Sequence, residues 1–309
     1  MAHTVDKPMS WYYRLSEESL AAIERQANTG PNAQPITSLS TSDEMVNATV
    51  QDLVPVRAAL HSGRGFAIIA AGEPGDYGPR ELTALFWLVG RLLGEPHEQN
   101  VQGTLLYDVR DTGQDVRYGA RFSVTNAEST FHTDNSFGKE VVDTIGLGCL
   151  HPAMSGGLSQ LVSGYSVQRE LLARQPDAVD VLRQPFHIDR RGGVLPGEGP
   201  TVQSPIFAGD DDDLVVRYLR YWIEVGHEKA GVPLTAGQVD AMDALDRVAG
   251  DSNLRVEFGL RQGEMLFVNN RWMLHNRTAF EDYAEPQRRR HYLRLWLRSA
   301  TAIRSPIGG

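Results

Sequence analysis

His132 and Asp134 stand two residues apart in FHTDNSF, residues 131–137. In an extended segment, side chains at i and i+2 project to the same face, so this spacing sets an imidazole beside a carboxylate. A third donor, His275, lies in WMLHNRTAF, directly after the apolar run GEMLFVNN. Two histidines and one carboxylate on one face of a metal leave the opposite face open to other ligands, the arrangement used by non-haem Fe(II) oxygenases. Taken singly, each histidine reads equally well as a core or surface residue, and the HxD pair alone does not decide between the two. Convergence of donors so far apart in the chain requires a sheet that folds back on itself.

The segment RRHYLRLWLR supplies the next constraint. As a strand it places Arg290, Tyr292, Arg294, Trp296 and Arg298 on one face, and His291, Leu293, Leu295 and Leu297 on the other. If the leucines pack against outer helices, Arg290 and Arg294 point inward beside the metal, where an unpaired guanidinium is costly. A small dicarboxylate that chelates the metal with one end and meets a guanidinium fork with the other relieves that cost. An exposed edge strand with solvated arginines is the alternative.

The remaining elements must position these groups. Residues 1–40 read as a peripheral segment with one helix that Ser16 can cap, ahead of Glu17 and Glu18. A second helical stretch runs from Ser42 towards Leu60, interrupted or restarted at Pro55, and GFAIIA (65–70) is a buried strand. Leu82, Leu85, Phe86, Val89 and Leu93 define one face of an amphipathic helix over 80–93. Short β-type runs follow in TLLYDVR, GARFSV, FHTDNSF and TIGLGCL. About 160–250 reads as a mixed, partly helical insertion and lid region. Within it a helix is capped by Ser166, SPIFAGDDDDLVVRYL forms a hairpin with an acidic tip, and Thr235 with Gln238 makes a capping box. GDDDD lacks the spacing and closing Glu of a calcium loop. LRVEFGL, GEMLFVNN and RRHYLRLWLR return to sheet. Strands far apart in sequence that share one site imply a mainly β, sandwiched or closed fold such as a jelly roll, flanked by helices, with residues 1–309 as a single domain.

FHTDNSF, HPAMSGGLSQ, GEMLFVNNRWMLHNRTAFED and RRRHYLRLWLR together resemble the TauD/TfdA (taurine dioxygenase; clavaminate synthase-like) superfamily of Fe(II)- and 2-oxoglutarate-dependent oxygenases. The resemblance runs from about residue 60 to residue 298. It implies a double-stranded β-helix, a jelly-roll and cupin relative, and it implies Fe(II), 2-oxoglutarate as cosubstrate, and O2. It places His132, Asp134 and His275 as iron ligands and Arg290 on the far carboxylate of 2-oxoglutarate. Ser159 stands where relatives carry a threonine after the paired glycines, and Arg294 matches an arginine that contacts cosubstrate or substrate. The implied reaction oxidises an unactivated C–H bond, by hydroxylation in the first instance and by desaturation, cyclisation or epoxidation if the outcome is diverted. Decarboxylation of 2-oxoglutarate to succinate and CO2 accompanies it. Because Asp134 is a carboxylate, no coordination site is freed for chloride, which argues against halogenation.

A substrate carboxylate, sulfonate or phosphonate suits Arg294, and the clavaminate-like resemblance suggests an amino-acid-derived molecule. Tyr107, Arg121, Asn126 and Glu128 in the 101–130 loop, together with residues 185–225, are candidates to cover it. A zinc hydrolase on the same triad has no use for Arg290 and Arg294, and a scaffold without turnover has none for an intact triad. The formal net charge of −9 argues against nucleic acid. The chain has no apolar run long enough for a membrane helix and no apolar signal core, and its one cysteine, Cys149, fits a reducing, cytoplasmic setting. Oligomeric state, including a homo-oligomer, is open.

Overall fold

The computed structural model describes residues 10–28, 34–114, 122–139, 141–191, 198–210 and 212–299. In chain order these hold β1 (Tyr12–Arg14), α1 (Glu17–Ala27), α2 (Asp43–His61), β2 (Phe66–Ala70), α3 (Pro79–Leu93), β3 (Glu95–His97) and β4 (Leu106–Val109). Next come β5 (Thr144–His151), β6 (Ser155–Gly156), β7 (Ser159–Ser163), α4 (Gly164–Arg174), α5 (Pro176–Leu182), β8 (Pro185–Asp189), β9 (Thr201–Pro205), β10 (Phe207–Ala208) and β11 (Val215–Val216). They are followed by α6 (Arg220–Ala230), α7 (Ala236–Ala249), β12 (Arg255–Phe258), β13 (Glu264–Asn269), β14 (Met273–Arg277), β15 (Phe280–Glu281) and β16 (His291–Arg298).

Two sheets face each other in the jelly-roll manner. The larger runs β1-β2-β13-β5-β16-β3, with β4 also on β16, and is antiparallel except where β1 joins β2. The smaller runs β12-β7-β14. Between them lies an apolar layer that includes Phe66, Ile145, Leu266, Val268, Tyr292 and Trp296 from the large sheet and Leu161, Phe258 and Met273 from the small one. The opposite face of the large sheet is covered by helices. Leu82, Leu85, Phe86, Val89 and Leu93 of α3 are buried in one cluster with Leu293, Leu295 and Leu297 of β16. The leucine face of β16 therefore points outward to the helices, as the alternation of the sequence predicts.

Helix and sheet approach closely here because β5 carries glycine where its outer face meets α3. A Cβ built on Gly148 would lie 2.8 Å from the Phe86 ring. Gly148→Ala should overpack this contact and destabilise the protein by about 1–3 kcal/mol, read as a lowered thermal midpoint. An unchanged midpoint would mean that α3 is free to move away.

The segment between β7 and β12 covers the outer side of the small sheet, where Val162 and Leu274 are buried with Leu171, Phe186, Phe207, Tyr218 and Leu245. The capping box forms as the sequence predicts: Gln238 N donates to Thr235 Oγ1 at 3.2 Å, and Thr235 N donates to Gln238 Oε1 at 3.0 Å. The acidic hairpin is β10 against β11. Other expectations need correction. Ser163, not Ser166, caps α4, and Ser166 supplies the N–H it accepts. α2 runs unbroken through Pro55, which sits on its exposed side, where water can serve the carbonyl that loses its donor. Phe122–Val124 is a 3-10 turn, not a strand. The N-terminal segment does more than decorate the surface, since β1 extends the large sheet and Ile23 of α1 is fully buried.

Candidate active site

FHTDNSF was expected to be a strand, but only His132 pairs in that way, through a single bridge to His275. His132 N donates to His275 O at 3.0 Å and His275 N donates to His132 O at 2.9 Å. The strand ends there because the next backbone groups are taken by other parts of the chain. Thr133 N donates to Tyr218 O at 2.9 Å, and Thr133 Oγ1 donates to Val216 O at 2.9 Å. Asp134 N donates to Asn270 Oδ1 at 2.8 Å, while Asn270 Nδ2 donates to Asp134 O at 2.9 Å and Val142 O at 3.1 Å. Asn135 then turns through φ +55°, and Arg217 Nη1 holds the following turn by the carbonyls of Ser136 and Gly138.

Asn270 and Arg217 were not singled out from the sequence, yet they fix the loop that presents Asp134. Asn270 is fully buried. Asn270→Ala should orphan the Asp134 N–H and O and lower stability by about 2–4 kcal/mol. Metal affinity should fall with it, and a wild-type thermal midpoint would refute the role.

One donor atom from each of His132, Asp134 and His275 lies within 4.8 Å of the others. The two imidazoles are 4.2 Å apart at their centroids, and His132 Nε2 is 3.7 Å from Asp134 Oδ1. His132 Nδ1 donates to the Thr130 carbonyl at 2.6 Å, which fixes the tautomer and leaves the Nε2 lone pair free. Burial disfavours the charged form of both histidines and holds His275 down at about 3, with the neighbouring imidazole adding to the effect. Burial pushes the Asp134 carboxyl the other way, but Arg294, the two histidines and the Trp296 N–H outweigh it and bring it to about 2. The cluster is thus two neutral imidazoles and one carboxylate, the charge state a divalent metal requires.

These groups open onto a cavity of about 90 Å³ between the two sheets, lined also by Ser129, Ser159, Asn276, Arg277, Arg290 and Arg294. Arg290 lies just before β16, where a register shift at His291 and Tyr292 bends the strand. It is 3 % exposed, its Nε and Nη1 have no hydrogen-bond partner among the described residues, and its guanidinium is packed over the Tyr292 ring at 3.8 Å. A pair of left-handed glycines makes room for it. Gly156 and Gly157 have φ of +70° and +65°, and a Cβ on Gly157 would meet Arg290 Nε at 3.2 Å. Ser159 is buried on the neighbouring strand, paired across from Arg277.

Arg294 is differently placed. Its Nη1 pairs with Asp134 Oδ2 at 3.1 Å, and its Nε donates to Gln99 Oε1 at 2.8 Å. Tyr107 lies against that guanidinium at 5.1 Å and does not line the cavity. Asn126 and Glu128 are exposed and do not line it either, and Arg121 lies outside the described residues. Among the described residues of that stretch, Val109, Phe122, Ser123 and Ser129 line the cavity. Arg277, which sequence reasoning passed over, reaches it too. Its guanidinium is held by the carbonyls of Phe122 and Ala127, and burial, with Arg290 nearby, lowers it to about 10. Its position two residues after His275 on β14, across from Ser159, was the available signal.

A family model described as "Taurine catabolism dioxygenase TauD, TfdA family" matches residues 33–296. Among curated proteins, the taurine hydroxylase-like protein SAT17 of Stachybotrys chartarum is 27% identical over 76% of this chain, and the match spans 61% of that protein's length. A uridine-5'-phosphate dioxygenase from an Amycolatopsis species is 30% identical over 74% of this chain and 83% of its own. Among solved structures, asparagine oxygenase with Fe(II), 3-hydroxyasparagine and succinate superposes with a TM-score of 0.67 at 20% identity. The non-haem iron oxygenase OrfP with Fe, succinate and 3-hydroxyarginine superposes with a TM-score of 0.68 at 19% identity. Each of these covers 94% of both chains.

Proposed function

The chain belongs to the taurine catabolism dioxygenase TauD, TfdA family, and from that premise we propose that it hydroxylates an unactivated C–H bond of a small anionic molecule, using Fe(II) and 2-oxoglutarate. The observation that carries this reading is the buried Arg290 guanidinium, unpartnered at Nε and Nη1, lining the same cavity as His132, Asp134 and His275. A zinc hydrolase has no use for a dicarboxylate receptor there, whereas 2-oxoglutarate needs a metal at one end and a guanidinium fork at the other.

The donor set fits the metal: two neutral imidazoles, one with its tautomer fixed, and an ionised carboxylate. His132, Asp134 and His275 hold the iron, and Arg290 with Ser159 holds the far carboxylate of the cosubstrate. When bound, iron and 2-oxoglutarate would let O2 act as the four-electron oxidant, one oxygen atom entering succinate as CO2 leaves and the other entering the substrate as its new hydroxyl. The protein's own part is positional. The apolar walls from Val109, Ile145, Leu147, Leu161, Leu266 and Val268 exclude water from the reacting centre.

The substrate's charge follows from what remains. Arg294 is paired with Asp134, and among the described residues that line the cavity no second carboxylate faces Arg277 and Arg290. A divalent metal raises that excess, and dianionic 2-oxoglutarate offsets only part of it, so an anionic substrate is favoured. The uridine-5'-phosphate dioxygenase relatives support an anion. A second reading, an amino-acid-derived substrate, draws on the likeness of fold to asparagine oxygenase and OrfP. Anaerobic addition of Fe(II) and 2-oxoglutarate should give a weak visible charge-transfer band, and succinate should accumulate in air when anionic candidates are supplied. Metal-dependent hydrolysis without 2-oxoglutarate consumption would overturn the proposal. The single buried thiol of Cys149 is in keeping with a reducing, cytoplasmic setting. Among the described residues no helix is long and apolar enough to cross a membrane.

A further inference from the structure

We infer that Trp296 and Arg294 are positioning residues of the metal centre, which hold Asp134 so that only its Oδ1 is free to ligate. The inference rests on the reading of His132, Asp134 and His275 as the metal site. The resemblance implies that Arg294 meets an anionic ligand, and in the ligand-free structure its guanidinium also engages Asp134 and Gln99.

Asp134 Oδ2 is engaged twice. Trp296 Nε1 donates to it at 2.8 Å, and Arg294 Nη1 pairs with it at 3.1 Å. Asp134 Oδ1 is the oxygen turned to His132 Nε2, at 3.7 Å. The hold on Oδ2 is itself braced. Gln99 Oε1 accepts from Arg294 Nε at 2.8 Å, while Gln99 Nε2 donates to the carbonyls of Leu105 at 3.0 Å and Arg294 at 2.8 Å. Both Trp296 and Gln99 are buried, so neither exchanges its partner readily for water. Trp296 and Arg294 share the inward face of β16, and Asp134 is fixed from behind by Asn270. The carboxylate is thus gripped at its backbone and at one oxygen.

The functional consequence is a matter of coordination number. A six-coordinate ion that takes one atom from each protein ligand keeps three positions, enough for a chelating 2-oxo acid and one more ligand. A carboxylate that bound through both oxygens would take one of them. With Oδ2 occupied by two donors, Asp134 cannot do so without breaking both contacts. Arg294 also withdraws charge from the carboxylate, which weakens it as a donor in exchange for fixed geometry.

The test uses charge-neutral variants, because removing the arginine would also remove a repulsion towards the metal. Trp296→Phe removes the N–H donor, at the cost of a smaller ring in the packed layer between the sheets, and Gln99→Met releases Arg294 without changing charge. Mn(II) binding is titrated by electron paramagnetic resonance in the full-length protein without cosubstrate, and Co(II)-loaded samples are compared by their visible spectra. Trp296→Phe should bind Mn(II) roughly 10- to 100-fold more weakly and alter the Co(II) bands, with Gln99→Met moving both readouts in the same direction. Mn(II) affinities within twofold of wild type and unchanged Co(II) spectra in both variants would overturn the inference. If Trp296→Phe does not fold, Gln99→Met decides on the same two readouts. Wild type that takes up no divalent ion would instead refute the metal site itself, so the two failures are distinguishable.

Discussion

His132→Ala should abolish metal uptake and turnover while leaving a folded protein: no charge-transfer band should form with Fe(II) and 2-oxoglutarate, and succinate production should fall at least about a thousandfold. The size follows from the arrangement. The ligand cluster has three members, and with the metal's remaining positions given to exchangeable ligands, losing one member leaves too few contacts to hold the ion. Outer partners of metal ligands are typically worth only about 10- to 100-fold, so loss of a ligand itself must exceed that. The fold should survive because the His132 backbone still exchanges its two hydrogen bonds with His275, and the Thr133 and Asp134 anchors are untouched. Circular dichroism and a thermal midpoint near wild type establish that. A variant that still gives the band, or keeps more than a tenth of the succinate yield, would remove His132 from the metal site.

What the sequence made legible were the features governed by local periodicity. The apolar face of α3 and the leucine face of β16 read directly because a period of 3.6 or 2 has one buried side, and Leu85, Phe86, Leu293 and Leu295 share one cluster. The capping box at Thr235 read for the same reason, since its partners lie three residues apart. FHTDNSF did not read as it stands. Its extended form ends after His132 because Thr133 and Asp134 bond to Tyr218 and Asn270, residues remote in sequence whose approach no local pattern announces. The same limit hid the pairing of Arg294 with Asp134. Alternation put Arg294 on the inward face, but not that Gln99 would hold its Nε and turn it onto the carboxylate. Arg277 escaped notice because its significance depends on being half-buried near Arg290 with its guanidinium on the carbonyls of Phe122 and Ala127.

Arg290→Met should have opposite effects on binding and on stability. On the proposed reading the guanidinium meets a cosubstrate carboxylate in a buried site, and truncating one partner of such a pair costs about 2–5 kcal/mol. The affinity for 2-oxoglutarate should therefore fall roughly 30- to several-thousand-fold, measured by calorimetric titration of the Mn(II)-loaded protein so that turnover is not needed. In the ligand-free protein the same residue is a liability, since its Nε and Nη1 are buried without partners between the Tyr292 and Phe280 rings. Replacing it with a flexible apolar chain of similar reach removes that desolvation cost, and replacing buried charge by well-packed apolar groups is often stabilising, by about 1–4 kcal/mol. The thermal midpoint of the ligand-free variant should rise by a few degrees. Arg290→Lys should restore charge but not the fork, and so recover only part of the affinity. A variant that binds 2-oxoglutarate within threefold of wild type would show that the far carboxylate rests elsewhere, with Arg277 the next cation on the cavity wall. Weakened binding together with a lowered midpoint would mean that Arg290 is held chiefly by its packing on the two rings, and that the site is less primed for an anion than its unpartnered nitrogens imply.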